Sequence, residues 1–361
     1  MKIKLGSFLI IIFILLMVMN AVAAEDNTLV GTGEGKLMVD NDNSVLLADA
    51  NNGNIKLETI DSQNSLKTGE IGNYTELQNL IDSNPNSIIN LEKNYVYSDS
   101  DAESLITIPH AITINGNGFY ISGANAASSL FIPNTVSNVV LNNISFINGD
   151  HNSMLLITGN DCLVDNCTFK DNSANDYGGA VTIWGYNNTI KNTVFINNTA
   201  YDSNYGDSSH TGCGGAIYLK TNSKDNTIDN CTFDNNKAEF GGSLFFDGQN
   251  NIVNNSKFIN NFANTSGGAV YLFNYGNLIH NSTFENNRAN FTAGAVYMYH
   301  ARNVVDNCTF ENNYADVAAG AITMDNEGCV VNNSKFNNNS ARHVSGAIYL
   351  GTDSNDNKIL N

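Results

Sequence analysis

The chain has 361 residues, and acidic side chains outnumber basic ones 35 to 17, for a formal charge of −18. A surface that negative repels nucleic acid and anionic lipid, so neither is an expected partner. Only 14% of residues are charged while 42% are hydrophobic and 64 are asparagine; regular spacing of the apolar residues points to a folded chain rather than a disordered one.

Lys2 and Lys4 precede an apolar run from Phe8 to Met19, and Ala21-Val22-Ala23-Ala24 follows before Glu25 and Asp26. A basic start, an apolar core and small residues define a secretory signal peptide over residues 1–24, cleaved near Ala23/Ala24. The run is short for a membrane span of ~20 residues. With no second such run in the sequence, the mature chain is expected to carry no membrane span and to be secreted or on the cell surface. Residues 25–70 lack periodicity and read as a flexible leader.

Residues 71–361 read as one domain. It opens with an N-terminal cap and first strands over 73–110: YTELQNLIDS from Tyr74 as an amphipathic helix, then SIINLEKNYVY from Ser87 as strands. From there phenylalanine marks a period, at Phe146, Phe169, Phe195, Phe233, Phe258, Phe284, Phe310 and Phe336. Three residues before each stands an asparagine: Asn143, Asn166, Asn192, Asn230, Asn255, Asn281, Asn307 and Asn333. Three residues after it, all but the first repeat have asparagine again. A second anchor is the GGAV/GGAI/AGAI segment, as at Gly214-Gly215-Ala216-Ile217, and a third an apolar residue two before the leading asparagine, as at Ile190 and Ile228.

A period near 26 residues with three β-prone stretches and no helical periodicity predicts stacked coils that cannot bury their apolar face alone. The expected fold is all-β: a right-handed, single-stranded parallel β-helix with three short strands per coil and an N-terminal capping helix. Phe and the aliphatic positions then point inward at sheet spacing. The asparagine before Phe is expected to take the left-handed bend and to form a structural ladder with its equivalents. The glycines stand where the backbone turns and a side chain would collide. Cys167, Cys231 and Cys308 occupy a position that is Ser256, Ser282 and Ser334 elsewhere, so they read as small buried fillers; neither zinc nor CxxC spacing is present. The sequence stops at Asn357–Asn361 halfway through a repeat, which reads as a truncated product.

The pairing of GGAI with FxxN, as in Gly214–Ile217 and Phe284–Asn287, resembles the polymorphic outer membrane protein repeat. The block from Tyr74 through ITINGNGFYISG and VVLNNISFING resembles the adhesin-like, pectin-lyase-like β-helix proteins exported by methanogenic archaea. That resemblance implies an exported cell-surface adhesin-like protein.

Two features stand apart from the scaffold. One is the outward column of the Gly-Gly strand, Tyr218, Phe245, Tyr271, Tyr297 and Tyr349, with Trp184, Phe273 and Tyr299 in the next column. If Ile217 and Leu219 point inward, alternation places these rings outside, where they would stack on sugar rings or protein side chains. The other is the long repeat between Phe195 and Phe233, whose inserted loop carries Asp207 and His210 as candidates for a sugar contact or a weak cation site. The expected partner is a polysaccharide or a cell-surface glycan or protein. The same fold houses polysaccharide lyases and hydrolases, which need paired carboxylates, or a carboxylate cluster with a basic residue. Asp247 and Asp325 share a column but lie three coils apart, ~14 Å at sheet spacing. The expectation therefore leans to a binder over an enzyme, with no catalytic residue, cofactor or metal ligand assigned; a polysaccharide-degrading enzyme and a passive stalk are the alternatives.

Overall fold

In the computed structural model, residues 66–127, 130–201 and 211–360 are described. The signal-peptide reading, most of the leader, and Asp207 and His210 lie outside the described residues.

One coil shows the plan. Leu163–Asp165, Thr168–Lys170, Ser173–Asn175 and Val181–Ile183 are short strands. Each pairs in parallel with its counterpart in the next repeat, Thr189–Lys191, Val194–Ile196, Thr199–Tyr201 and Ile217–Leu219. Repetition of this pairing gives four parallel sheets along the stack. Among the described residues the lead sheet and the Phe sheet hold eleven strands each, the Gly sheet ten and a short Ala sheet seven. The chain is thus an all-β parallel β-solenoid.

The Ala sheet corrects the expectation of three strands per coil. After the Phe strand the chain bends and runs straight once more, with the inward position always alanine: Ala174, Ala200, Ala238, Ala263, Ala289, Ala315 and Ala341. A methyl group is small enough to sit inside a corner, and two to five residues are too few to show strand periodicity in the sequence.

The interior is built from columns of like residues. Eight phenylalanine rings, Phe146 to Phe336, stack with centroids 4.7–5.0 Å apart. Ile190, Ile228, Val253, Ile279, Val305 and Val331 line the lead sheet and are buried. Cys167, Cys231 and Cys308 are buried free thiols. In that column the backbone N–H of Cys231 donates to Ser256 Oγ (3.1 Å) and that of Ser256 to Ser282 Oγ (3.1 Å).

The eight asparagines that precede Phe all take the left-handed conformation, at φ 48–54°. This is the bend from lead sheet to Phe sheet, and asparagine tolerates it better than most residues. Their ladder is a different matter. Most of these side chains are exposed, and their bonds form broken runs: Asn230 to Asn192 (2.8 Å), Asn307 to Asn281 (3.1 Å), with Asn192, Asn255 and Asn333 donating instead to Asp165, Asp229 and Asp306. The buried ladder runs through the asparagine after Phe. Asn172, Asn198, Asn236, Asn261, Asn287, Asn313 and Asn339 join side chain to side chain at 2.9–3.1 Å. Each of the middle ones satisfies four groups. Asn287 Oδ1 accepts from the backbone N–H and the Nδ2 of Asn261, while its Nδ2 donates to Phe258 O and Asn313 Oδ1, all at 3.0 Å. A second buried column, Asn188, Asn226, Asn251, Asn277 and Asn303, accepts backbone N–H groups in the same way at 2.9–3.0 Å. Buried turns need such partners because water is excluded there.

At the N-terminal end the helix α1 (Tyr74–Asp82) buries Tyr74, Leu77 and Ile81 in the main core. Asn73 caps it by accepting from the Glu76 N–H at 2.9 Å. Residues 66–70, expected as part of the flexible leader, are held to the first coils: Asn94 donates to Lys67 O (3.0 Å) and Lys67 Nζ lies 3.7 Å from the Phe119 ring centroid.

Candidate functional site

The candidate site lies on the outer side of the Gly sheet. Alternation works there as the sequence suggests: Ile217, Leu219, Leu244, Phe246, Val270, Leu272, Val296 and Met298 point inward and are fully buried. Tyr218, Phe245, Tyr271 and Tyr297 therefore point outward, in register with one another. The expectation that they are exposed is corrected, since only 6%, 1%, 3% and 8% of their surface remains open.

The cause is the connection from the Ala sheet to the Gly sheet, which folds back across this face. Tyr177, Cys213 and Phe240 in that connection bridge coil to coil, as do Ser266, Thr292, Ala318 and Val344 further on. Gly178, Gly214, Gly241 and Gly267 make the return at positive φ. The rings are thereby enclosed as a second, smaller apolar layer with Cys213 and Ala293, partly closed by Phe240, Phe273 and Tyr299. Tyr177 stacks on Tyr218 at 4.6 Å and Phe245 on Tyr271 at 4.9 Å. Threonine replaces the ring at both ends, and each hydroxyl meets one from a neighbouring segment: Thr182 with Ser153 (2.7 Å) and Thr323 with Thr292 (2.8 Å).

Burial pushes the Tyr218, Tyr271 and Tyr297 phenols well above their ordinary value. The Asp247 carboxylate adds to this at Tyr218, the neighbouring Tyr297 at Tyr271, and a hydrogen bond to Asp325 at Tyr297. Two of these hydroxyls donate to carboxylates. Tyr218 donates to Asp247 Oδ2 at 3.1 Å, and Tyr297 donates to Asp325.

The next column, one residue beyond the strands, is the accessible one. It runs Trp184, Lys220, Asp247, Phe273, Tyr299 and Asp325, one residue per coil. Trp184 is 48% exposed, and Lys220 Nζ lies 3.4 Å from its ring centroid, a cation–π contact that fixes both side chains. Phe273 and Tyr299 are half-buried and stack at 5.2 Å with 6° between planes. His300 stands edge-on to both, at 5.5 and 5.0 Å. Tyr349, in the last coil, is half-buried and stands apart from the ring layer. Two shallow depressions open along this line. Tyr177, Tyr218, Phe245, Asp247 and Phe273 line one of about 200 Å³; Tyr275, His300, Ala301 and Arg302 line one of about 340 Å³.

The structure thus keeps Trp184, Phe273 and Tyr299 as accessible candidates and turns four of the other rings into their support. Tyr177, Lys220, Asp247, Tyr275 and His300 were not singled out as contacts from sequence; for Lys220 and Asp247 the signal was their place in the Trp184 column. Among the described residues no three His, Cys, Asp or Glu side chains converge to hold a metal ion. The thiols are not poised nucleophiles: burial pushes Cys167, Cys231 and Cys308 up to about 12. No helix among the described residues is long and apolar enough to cross a membrane.

The family model of the right handed beta helix region matches residues 259–361, and that of the Chlamydia polymorphic membrane protein repeat matches residues 192–220. Together with the parallel solenoid, these matches support a right-handed β-helix, with a repeat of the polymorphic membrane protein type at residues 192–220. Similar solved structures include an alginate lyase complex, at 12% identity and TM-score 0.50, over 74% of this chain and 70% of that one. The surface protein and adhesin PfbA of Streptococcus pneumoniae is also similar, at 14% identity and TM-score 0.39, over 79% and 95%. An alpha-1,3-glucanase catalytic domain in complex with nigerose gives 13% and 0.42, over 77% and 60%. At these identities the likeness is one of fold. No curated protein matches the chain.

Proposed function

We propose that the chain is a surface or secreted adhesin-like protein that holds a polysaccharide along the outer edge of its Gly sheet without cleaving it. The observation that carries this reading is the line formed by Trp184, Phe273 and Tyr299. Phe273 and Tyr299 stand one coil apart on a floor of enclosed rings, and Trp184 stands three coils before Phe273, with Lys220 and Asp247 between them. Flat apolar faces beside polar edges suit the faces and hydroxyls of a sugar chain. Stacking contributes roughly 0.5 to 1.5 kcal/mol per aromatic pair, so retention of a chain needs several rings at once. The column supplies three rings across five successive coils.

The test is retention of the full chain on a panel of immobilised polysaccharides. Replacing Trp184 with Ala, and Phe273 and Tyr299 with Ser, is expected to abolish retention while the thermal transition stays cooperative. A triple variant retained like the parent would make these rings structural. Reducing ends released from a retained polysaccharide would instead make the protein an enzyme.

A further inference from the structure

We infer that Asp247 is the hydrogen-bonding centre of this face and that it selects a neutral, hydroxyl-rich glycan over a polyuronate; this rests on the proposed glycan-binding function. Asp247 Oδ2 accepts from the Tyr218 hydroxyl (3.1 Å), from the Thr221 N–H (3.2 Å) and from the Thr221 hydroxyl. Its Oδ1 has no hydrogen-bond partner among the described residues. The carboxylate is therefore held in one orientation by three donors to one oxygen, and Asp247 lines the depression.

An ionised carboxylate accepts at both oxygens, so Oδ1 keeps capacity for about two further hydrogen bonds. Hydrogen bonds to a charged acceptor are roughly twice as strong as neutral ones. The groups around it suit a sugar. Tyr177 and Phe273 line the same depression, with Tyr218 and Phe245 beneath. The Phe273 ring stacks on Tyr299 on one side and on Phe245 on the other, so a sugar lies against its outer edge and brings hydroxyls to the neighbouring coil, ~4.8 Å away, where Asp247 stands.

Charge decides the class. The cation nearest in this column, Lys220, is engaged on the Trp184 ring, and the chain carries a formal charge of −18. A uronate carboxylate placed over Phe273 would face Asp247 with nothing between them to compensate. The opposite preference would need the depression of Tyr275, His300 and Arg302 to dominate, and the test separates the two.

The probes are neutral oligosaccharides (glucans, mannans and galactans) and oligouronates of equal length, titrated into the full chain by calorimetry. Binding of a neutral probe, unchanged between low and moderate ionic strength, and weakened tenfold or more by Asp247→Asn is the expected result. Trp184→Ala in the same series reports on the face itself. If Trp184→Ala abolishes binding but Asp247→Asn does not, the face binds glycan and Asp247 is not its centre. An oligouronate bound in preference, in a salt-sensitive way and lost in Arg302→Gln, overturns the choice of class. No binding by any probe overturns the inference together with the function it rests on. Should Asp247→Asn lower the thermal transition, Thr221→Val, which removes one of the three donors to Oδ2 without altering the charge, is expected to weaken neutral-probe binding as well, and unchanged binding there would overturn the role of Asp247.

Discussion

Asparagine does three jobs in this chain, and burial tells them apart. At the bend before Phe it supplies a left-handed backbone; within the turn after Phe it closes a buried network; elsewhere it decorates the surface. Asn287→Ala removes an acceptor for two donors of Asn261 and a donor to Phe258 O and Asn313. Buried groups left unpaired cost about 1–3 kcal/mol each, so a loss of about 3 kcal/mol or more is expected. Asn281→Ala keeps the interior intact and forfeits mainly the left-handed preference at φ 48°, costing about 1 kcal/mol. Asn290→Ala, which gives up an exposed amide bond to Asn264, is expected to stay within about 0.5 kcal/mol. Denaturant midpoints of the three variants give the order directly, and a loss at Asn281 equal to that at Asn287 would contradict the burial argument.

At the scale of elements, the paired glycines and the enclosed ring layer set the limits. A Cβ added at Gly268 would lie 2.1 Å from Gly294 O in the next coil. That oxygen belongs to rigid backbone, so Gly268→Ala is expected to force the coils apart and to lose several kcal/mol, seen as a loss of cooperative unfolding. The first position of the pair takes a positive φ in every case, and Ala293, Ala319 and Ser345 occupy it at φ 53–58°. Buried thiols and phenols make the same layers sensitive to alkali. An unfolded thiol titrates near 9.0, whereas Cys167, Cys231 and Cys308 are pushed up to about 12. Because the folded values are raised, their contribution to stability is complete below pH 9 and is lost as pH climbs from 9 to 12. Tyr218, Tyr271 and Tyr297 act in the same direction. Tyrosinate absorbance from these rings is therefore expected to appear together with unfolding in an alkaline titration, not ahead of it. Cys231→Ser should change stability little, since Ser256 and Ser282 already fill that column.

Across the whole molecule each coil contacts its neighbours in the stack, so stability sums over coil interfaces and the ends matter most. The N-terminal end is closed by α1, whose Leu77 and Ile81 are fully buried against the first coils. Leu77→Ala is expected to cost about 2–5 kcal/mol. The loss should appear first as enhanced hydrogen exchange in the strands Ile88–Asn90 and Asn94–Val96, with the Phe284–Phe310 region unaffected. Uniform acceleration along the chain would mean that the solenoid unfolds as one unit.

Much of this fold was legible in one sequence because a solenoid packs each residue on its own equivalent. Recurrence of Phe284 as Phe310, or of Ile279 as Val305, is thus a record of contact as well as of period. The bends, the inward columns and the glycine anchors followed from that self-comparison, and so did the outward direction of Tyr218, Tyr271 and Tyr297. The tertiary structure alone decided that these rings are enclosed. Their cover is the connection holding Tyr177, Cys213 and Phe240, which varies in length and composition between repeats and carries no period to read. It also decided which asparagine column is buried, because both columns recur at the same interval and only the path of the chain around the corner separates inside from outside. Asp247 looked isolated in the sequence for a related reason. Its meaning lies in partners from two neighbouring coils, Tyr218 and Phe273, and sequence distance alone does not bring them to one depression.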